Sequence, residues 1–441
     1  MNSQINPCCI GVDITPVSRI EKSLSNPRFL TRVFSDAENE LLRERQYSPQ
    51  VAAANYAAKE AFSKALGTGV RGFSLGEVSV LRNKLGAPYL HLEGEAKRFA
   101  GGRTFLVSLT HDGGNAIAVV VGVMWEETAL PELSEERLNR LAQRFGRSLE
   151  LGTPITPSLI RATLKPRKPD SHKGTYGRLL CVAGSTRFRG AAVLCTEAAL
   201  RGGAGIVCLA SVEPVLATAS SSLKEPVLLP LKQNEDGGIS SFDLAPFKEE
   251  LGKATAVLAG CGLSNTEDTQ KLIQFLLKNA DCPLILDADG LNVLPGCIDI
   301  IRTAKRSCII TPHVGEMSRL CGKTVAQIKQ DPVLCAAGFA KEYGCTVVLK
   351  DADTVVAAPD GRIFFNTTGN AGMAKGGSGD ILAGLIGSFL AQGTEAALAA
   401  ACAVYLHGAA GDLAAEHRSQ YAMLPSDLIG ELPVLLRSAG L

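Results

Sequence analysis

Short apolar runs broken by glycine-bearing and charged turns dominate the chain, and their spacing changes near Trp125. Upstream, residues 10–14, 78–81, 89–92 and 116–123 alternate or run apolar as strands do, and the Ala- and Lys-rich stretch 50–66 predicts a helix. This mixture predicts a compact α+β unit over residues 1–125. Residues 126–152 are heavily charged, yet Leu138, Leu141 and Phe145 recur on one helical face that Ser134 can cap. A charged linker helix packed by its apolar face onto one domain is therefore expected. From 153 to 441, strand candidates at 178–183, 205–211, 255–260, 283–287, 307–311 and 345–350 alternate with helix candidates at 191–201, 268–279, 332–343 and 380–391. Such alternation predicts a large α/β domain with a mostly parallel sheet covered on both faces.

Composition adds exclusions. With 441 residues, 46% hydrophobic and 20% charged, the chain is long enough for two or three folded domains and is not a disordered one. Lys+Arg number 45 against 44 Asp+Glu, so no basic excess points to nucleic acid. The thirteen cysteines include no C-x-x-C, and most, such as Cys181, Cys208 and Cys308, sit inside apolar runs. They read as small buried hydrophobes of a reducing cytoplasm rather than a disulfide frame or zinc site. Cys8-Cys9-Ile10 is too short for a signal peptide, and no apolar run reaches the roughly 18 residues of a membrane span.

In the first block, Asp13 ends an apolar strand and Glu60 lies in the predicted helix beside Lys59 and Lys64. Two carboxylates from separate elements, joined by water and phosphate oxygens, suit Mg²⁺. Taken alone, Glu60 and Lys64 also read as an i,i+4 surface pair. The ordered segments GVDITPVSRIEK, AAKEAFSKALGTGV, NKLGAPYLHLEGEA and VSLTHDGGNAIAVVV resemble the holo-acyl-carrier-protein synthases, small phosphopantetheinyl transferases, over nearly all of residues 8–123. The resemblance implies that Asp13 and Glu60 hold Mg²⁺ on the pyrophosphate of coenzyme A. It also places Lys59, Lys64 and His111 near the coenzyme's phosphates, with Lys64 and His111 in the catalytic set. The acceptor is a serine of an acidic acyl-carrier protein, which Arg19, Lys22, Arg28 and Arg32 could face. The family forms homo-oligomers with active sites between subunits. Thr110-His111-Asp112 departs slightly from the usual Ser-His-acid wording.

In the second block, Lys375-Gly376-Gly377-Ser378-Gly379-Asp380 leads straight into a helix. Such a loop aims backbone N–H groups at an anion, and the helix dipole adds to the attraction. Asp380 can take a proton from a hydroxyl beside the phosphate, although the dipole is expected to lower its basicity. The plain alternative is a helix cap after a flexible loop. The loop resembles the anion hole of ribokinase-like folds. With HKGTYGRLLCVAGS, LAGCGLSN, LDADGLNVL, TPHVGEMSRL and VVLKDADTVVAAPDG, the stretch from about 154 to the C-terminus resembles the ADP-dependent NAD(P)H-hydrate dehydratases. By that resemblance, Ala191, Gly262, His313 and Asp380 contact hydrated NADH or NADPH. Lys350, Asp351, Ala352, Asp353 and Thr354, with Gly376, Gly377, Ser378 and Gly379, hold ADP. Lys350-Asp351 stands where Lys-Gly is frequent, and Cys261 where a proline is usual. The rival reading is an ATP-dependent vitamin-precursor kinase whose first block only docks a carrier protein.

Overall fold

The computed structural model of the chain describes residues 6–101, 103–124, 129–241 and 245–441. It separates into two compact units, Met1–Glu127 and Thr128–Leu441. The boundary expected at Trp125 and Glu126 lies outside the described residues.

The first unit holds β1 (Asn6–Pro16), β2 (Val78–Arg82), β3 (Pro88–Leu92), β4 (Thr104–Asp112) and β5 (Asn115–Met124). Strands β1, β5 and β4 form an antiparallel sheet in that order, and β2 pairs with β3. Gly113 and Gly114, at φ 54° and 79°, make the tight β4–β5 turn, whose two left-handed positions favour glycine. The helix Pro49–Ala65 buries Ala57, Ala58, Ala61 and Phe62 against Ala118 and Val120. Its small residues let it lie directly on β1: a Cβ at Gly11 would come 1.9 Å from the Ala61 carbonyl oxygen. The opposite sheet face is apolar and uncovered, with Ile10, Val12 and Ile14 exposed at 65%, 50% and 59%.

The second unit contains β6 (Thr153–Pro154), β7 (Arg178–Val182), β8 (Ile206–Val212), β9 (Val227–Leu231) and β10 (Ala256–Ala259). It continues with β11 (Leu284–Leu286), β12 (Cys308–Ile310), β13 (Thr346–Leu349), β14 (Val355–Ala357) and β15 (Ile363–Phe365). They form one sheet in the order β6-β15-β14-β13-β12-β11-β10-β7-β8-β9, parallel throughout except at β13–β14 and β14–β15. The expected strands 178–183 to 345–350 all appear, whereas β6, β9, β14 and β15 were not foreseen. The helices Ser378–Ala391 and Ala396–Arg418 fill the core beside the sheet. The latter is long and apolar enough to cross a bilayer, and 78% of its apolar window is buried in protein. Cys9 and the eleven cysteines from Cys181 to Cys402 are free, and Cys181, Cys208 and Cys308 are buried.

The linker helix runs from Glu135 to Phe145, with Ser134 Oγ accepting from Arg137 N as a cap. It belongs to the second unit rather than lying between the two. Leu141 and Phe145 enter the second core, but Leu138 stays 41% exposed, so the apolar face is narrower than the spacing implied.

Candidate active sites

In the first unit, Gly11 lets the Pro49–Ala65 helix bring Lys64 onto β1. Lys64 Nζ lies 2.8 Å from Asp13 Oδ1 and donates to Val12 O at 3.1 Å. Asp13 Oδ2 accepts from Thr15 Oγ1 at 2.8 Å. Tyr56, one helical turn before Glu60, has its phenol pushed up by burial, then by the charge of Glu60 and a hydrogen bond to it, with Asp13 adding to the effect. Two acidic charges thus converge on one phenol. Oxygen donors from a strand and a helix, with a half-exposed lysine now neutralising one of them, fit a small hard cation. His111 is exposed near the end of β4. The register puts it on the sheet face that carries Asp13, with β5 between the two strands. Arg19, Lys22, Arg28 and Arg32 are all exposed.

Lys59 is a correction. Its side chain is fully buried, with Nζ 2.6 Å from Glu38 Oε2 and donating to the carbonyls of Leu75 and Val78. Glu38 also accepts from Asn55 Nδ2 and Val80 N. All three ammonium protons are spent inside the fold, so Lys59 is a structural charge and does not reach a coenzyme phosphate. Successive helical residues point about 100° apart, which turns Lys59 inward while Glu60 is partly exposed.

In the second unit, the carboxyl ends of β10 to β13 converge on the start of the Ser378–Ala391 helix. Asp287 follows β11 and is 2% exposed. Its Oδ1 takes Lys350 Nζ at 2.7 Å and Thr311 Oγ1 at 2.5 Å, and its Oδ2 takes the Cys261 thiol at 3.7 Å. The backbone here is tightly drawn. A Cβ at Gly260 would meet the Asp287 carbonyl oxygen at 1.8 Å, and Ala288 is held at φ 49°, a strained value for a side-chain-bearing residue. Burial alone would lower the Lys350 pKa, but the charges of Asp287 and Glu316 hold it above the ordinary range.

Gly377, at φ 108°, turns the chain into the helix, and a Cβ on Gly379 would lie 3.3 Å from Lys350 Nζ. The loop therefore borders the lysine closely enough for one anion to meet both. Ser378 is buried, with its hydroxyl donating to Met373 O at 2.8 Å. Asp380 departs from expectation. Its carboxyl is raised to about 6, first by burial and then by the Asp287 charge, against smaller opposing effects from Cys261 and Lys350. Desolvation beside a second carboxylate outweighs the helix dipole.

His313 caps the helix Val314–Cys321: its Nδ1 accepts from Gly315 N at 3.0 Å and Glu316 N at 3.3 Å, leaving Nε2 to carry the ring proton. Burial, then Lys350 and Arg319, depress its pKa, so the ring stays neutral near pH 7. Its backbone bridges to Lys350, whose N–H donates to Pro312 O at 2.8 Å. Gly262, at φ 64°, faces Ala191: a Cβ there would sit 3.0 Å from the Ala191 Cβ. Asp351, Ala352, Asp353 and Thr354 form the turn after β13, with Asp353 and Thr354 buried.

Two residues in this region escaped sequence reasoning as site members. Asp287 was visible only as an acid after a buried strand. His407, in the Ala-rich helix Ala396–Arg418, carried no signal at all, yet burial drives its pKa to about 4, and its Nε2 has no hydrogen-bond partner among the described residues.

Comparisons with known proteins match each unit to a family. Residues 179–434 match the family model described as NAD(P)H-hydrate dehydratase, and residues 9–118 match that of the 4'-phosphopantetheinyl transferase superfamily. The bifunctional NAD(P)H-hydrate repair enzyme of Moorella thermoacetica is 40% identical over 296 residues, covering 67% of this chain and 55% of that protein. That of Thermofilum pendens is 38% identical over 275 residues, covering 62% and 52%, so the chain spans about half the length of these relatives. The ADP-dependent (S)-NAD(P)H-hydrate dehydratase of Bacillus subtilis is 37% identical over 285 residues, 63% of this chain and 95% of that protein. Among solved structures, the ADP/ATP-dependent NAD(P)H-hydrate dehydratase of Bacillus subtilis, co-crystallised with ATP/Mg²⁺, aligns with TM-score 0.55 at 34% identity, covering 65% of this chain and 99% of that one.

Proposed function

Because this chain belongs to the NAD(P)H-hydrate dehydratase family, we propose that its second unit dehydrates the S-epimer of hydrated NADH or NADPH at the expense of ADP, giving NAD(P)H, AMP and phosphate. The observation that carries this reading is Asp380, a partly buried residue whose carboxyl is raised to about 6 at the mouth of a glycine loop bordered by Lys350. Hydroxide is a poor leaving group, so the ring hydroxyl must first be converted to a better one. Its oxygen attacks the terminal phosphoryl of ADP, and the bond to the bridging oxygen breaks to release AMP. Asp380 accepts the hydroxyl proton as that bond forms. The N–H groups of Gly376–Gly379 and the Lys350 ammonium meet the charge that grows on the phosphoryl oxygens. The ring nitrogen's lone pair then expels phosphate, and loss of a proton from the neighbouring ring carbon restores the dihydropyridine. Ala191, Gly262 and His313 bind the hydrated nucleotide, and Lys350–Thr354 hold ADP.

The first unit transfers 4'-phosphopantetheine from coenzyme A to a serine of an apo acyl-carrier protein. Asp13 and Glu60 would hold Mg²⁺, which would supply charge neutralisation for the coenzyme's pyrophosphate. Lys64, half-exposed in its pair with Asp13, is free to turn to a phosphate, and His111 completes the set. Arg19, Lys22, Arg28 and Arg32 offer the acidic carrier a basic approach. The uncovered face of Ile10, Val12 and Ile14 supports a homo-oligomer built on this sheet. The location is the cytoplasm, and no nucleic acid or membrane partner is assigned.

The decisive assay offers hydrated NADH with ADP or ATP and follows both return of the dihydropyridine absorbance and the fate of the nucleotide. ADP-dependent recovery with AMP release is the expected result. A stable phosphorylated product made only with ATP would move the second unit to the vitamin-kinase reading.

A further inference from the structure

The linker helix Glu135–Phe145 anchors itself through Leu141 and Phe145, the Phe145 ring centroid lying 4.9 Å from that of Phe365. Its polar side carries Arg137, Arg140 and Arg144, each about one turn from the next. All three meet aspartates. Arg144 Nη2 lies 3.0 Å from Asp351 Oδ2, Arg140 Nη2 2.7 Å from Asp353 Oδ1, and Arg137 Nη2 2.6 Å from Asp412 Oδ2. Arg137 also donates to Thr367 O. Asp412 in turn accepts from Gly369 N at 3.0 Å and Asn370 Nδ2 at 3.1 Å. The helix thus grips both the 351–353 turn and the 367–370 segment that leads into the glycine loop.

The chemistry of that turn needs explaining. Asp353 is 7% exposed and Asp351 stands beside Lys350, so two carboxylates sit in the turn assigned to a nucleotide that carries negative charge of its own. Unneutralised, they would repel a diphosphate and one another. Their counter-charges come from a helix that precedes the segment matched to the dehydratase family.

We propose that the linker helix is part of the nucleotide site, with Arg140 and Arg144 as positioning residues that neutralise Asp353 and Asp351 and hold the turn ready for a nucleoside diphosphate. This rests on the reading of the turn as the ADP-holding element. The arginines touch no substrate; they set the charge and shape of the residues that do. Affinity for ADP therefore depends on a segment outside the ribokinase-like core, and Arg137 does the same for the entry to the anion loop.

A charge-neutralisation cycle on the full chain tests this, reading ADP affinity by calorimetry and KM against kcat. The double variant Arg140→Gln, Arg144→Gln should weaken ADP binding about tenfold, with kcat at saturating ADP changing less than about twofold. Arg140→Lys with Arg144→Lys should keep most of the affinity. Adding Asp351→Asn and Asp353→Asn to the glutamine pair should return it to within about threefold of the parent. Unchanged affinity in the glutamine pair, or a loss that the asparagines do not relieve, overturns the proposal and leaves the helix a packing element. Should the glutamine pair fail to melt cooperatively, Asp351→Asn, Asp353→Asn alone decides: tighter ADP binding supports the proposal, and unchanged or weaker binding refutes it. A parent chain that binds no ADP refutes the underlying reading itself and this proposal with it.

Discussion

At the residue scale, two neighbours on one helix carry opposite expectations. Lys59 is wholly buried on Glu38, so Lys59→Met strands a buried carboxylate and should cost the first unit about 3–5 kcal/mol, read by denaturant melts. Glu60→Gln should leave that melt unchanged, abolish loading of an apo carrier protein and spare the dehydratase. Loading at near parental rate would remove Glu60 from the metal site. Asp380 makes a second pair of expectations. Its carboxyl is raised from the ordinary 3.8 to about 6, so the folded protein holds a proton that the unfolded chain has released between those values. Stability from this group is present at low pH and is lost as pH rises through about 6, at most about 3 kcal/mol. Turnover moves the other way, rising as the base ionises. Asp380→Asn should lower kcat by about 10²–10⁴, leave ADP affinity within a few fold, and raise the melting temperature at pH 7. Normal turnover, or a loss confined to ADP affinity, would reduce Asp380 to a helix cap.

At the element scale, the linker helix changes where the second unit can be cut. A fragment starting at residue 153 loses Leu141 and Phe145 from the core and exposes Phe365 beneath them. Removing two such side chains should destabilise it by several kcal/mol relative to a fragment starting at 129. Comparative thermal melts check this, and equal stability would show the helix to be dispensable for folding. The charged spacing of 126–152 does suggest a helix, and an apolar face for it. The choice of unit, and the exposure of Leu138, follow from a surface assembled by residues more than 200 positions downstream: Arg144 and Asp351 are 207 apart in sequence.

At the scale of the whole molecule, the two units carry separate cores, and the uncovered β1 face offers the first of them a route to self-association. Replacing Val12 and Ile14 with aspartate should shift the assembly toward monomer in sedimentation and lower transferase activity, with the dehydratase unaffected. A parental mass distribution would place the contacts elsewhere. The element order, the parallel sheet and the glycine loop were legible in the sequence, because apolar periodicity and glycine's backbone freedom act over a few residues. So were Asp13, Glu60, Lys350 and Asp380 as candidates, since an acid in an apolar strand, an acid in an alanine-rich helix, a lysine at a strand end and an acid at a helix start are conspicuous one at a time. What each charge does was decided only by the tertiary structure. Lys59 turns inward to Glu38, 21 residues away, Lys350 finds Asp287 across 63, and Asp380 loses its water to walls drawn from the whole unit. Charge neutralisation and desolvation are sums over neighbours in space, and those neighbours are chosen by the fold, not by proximity along the chain.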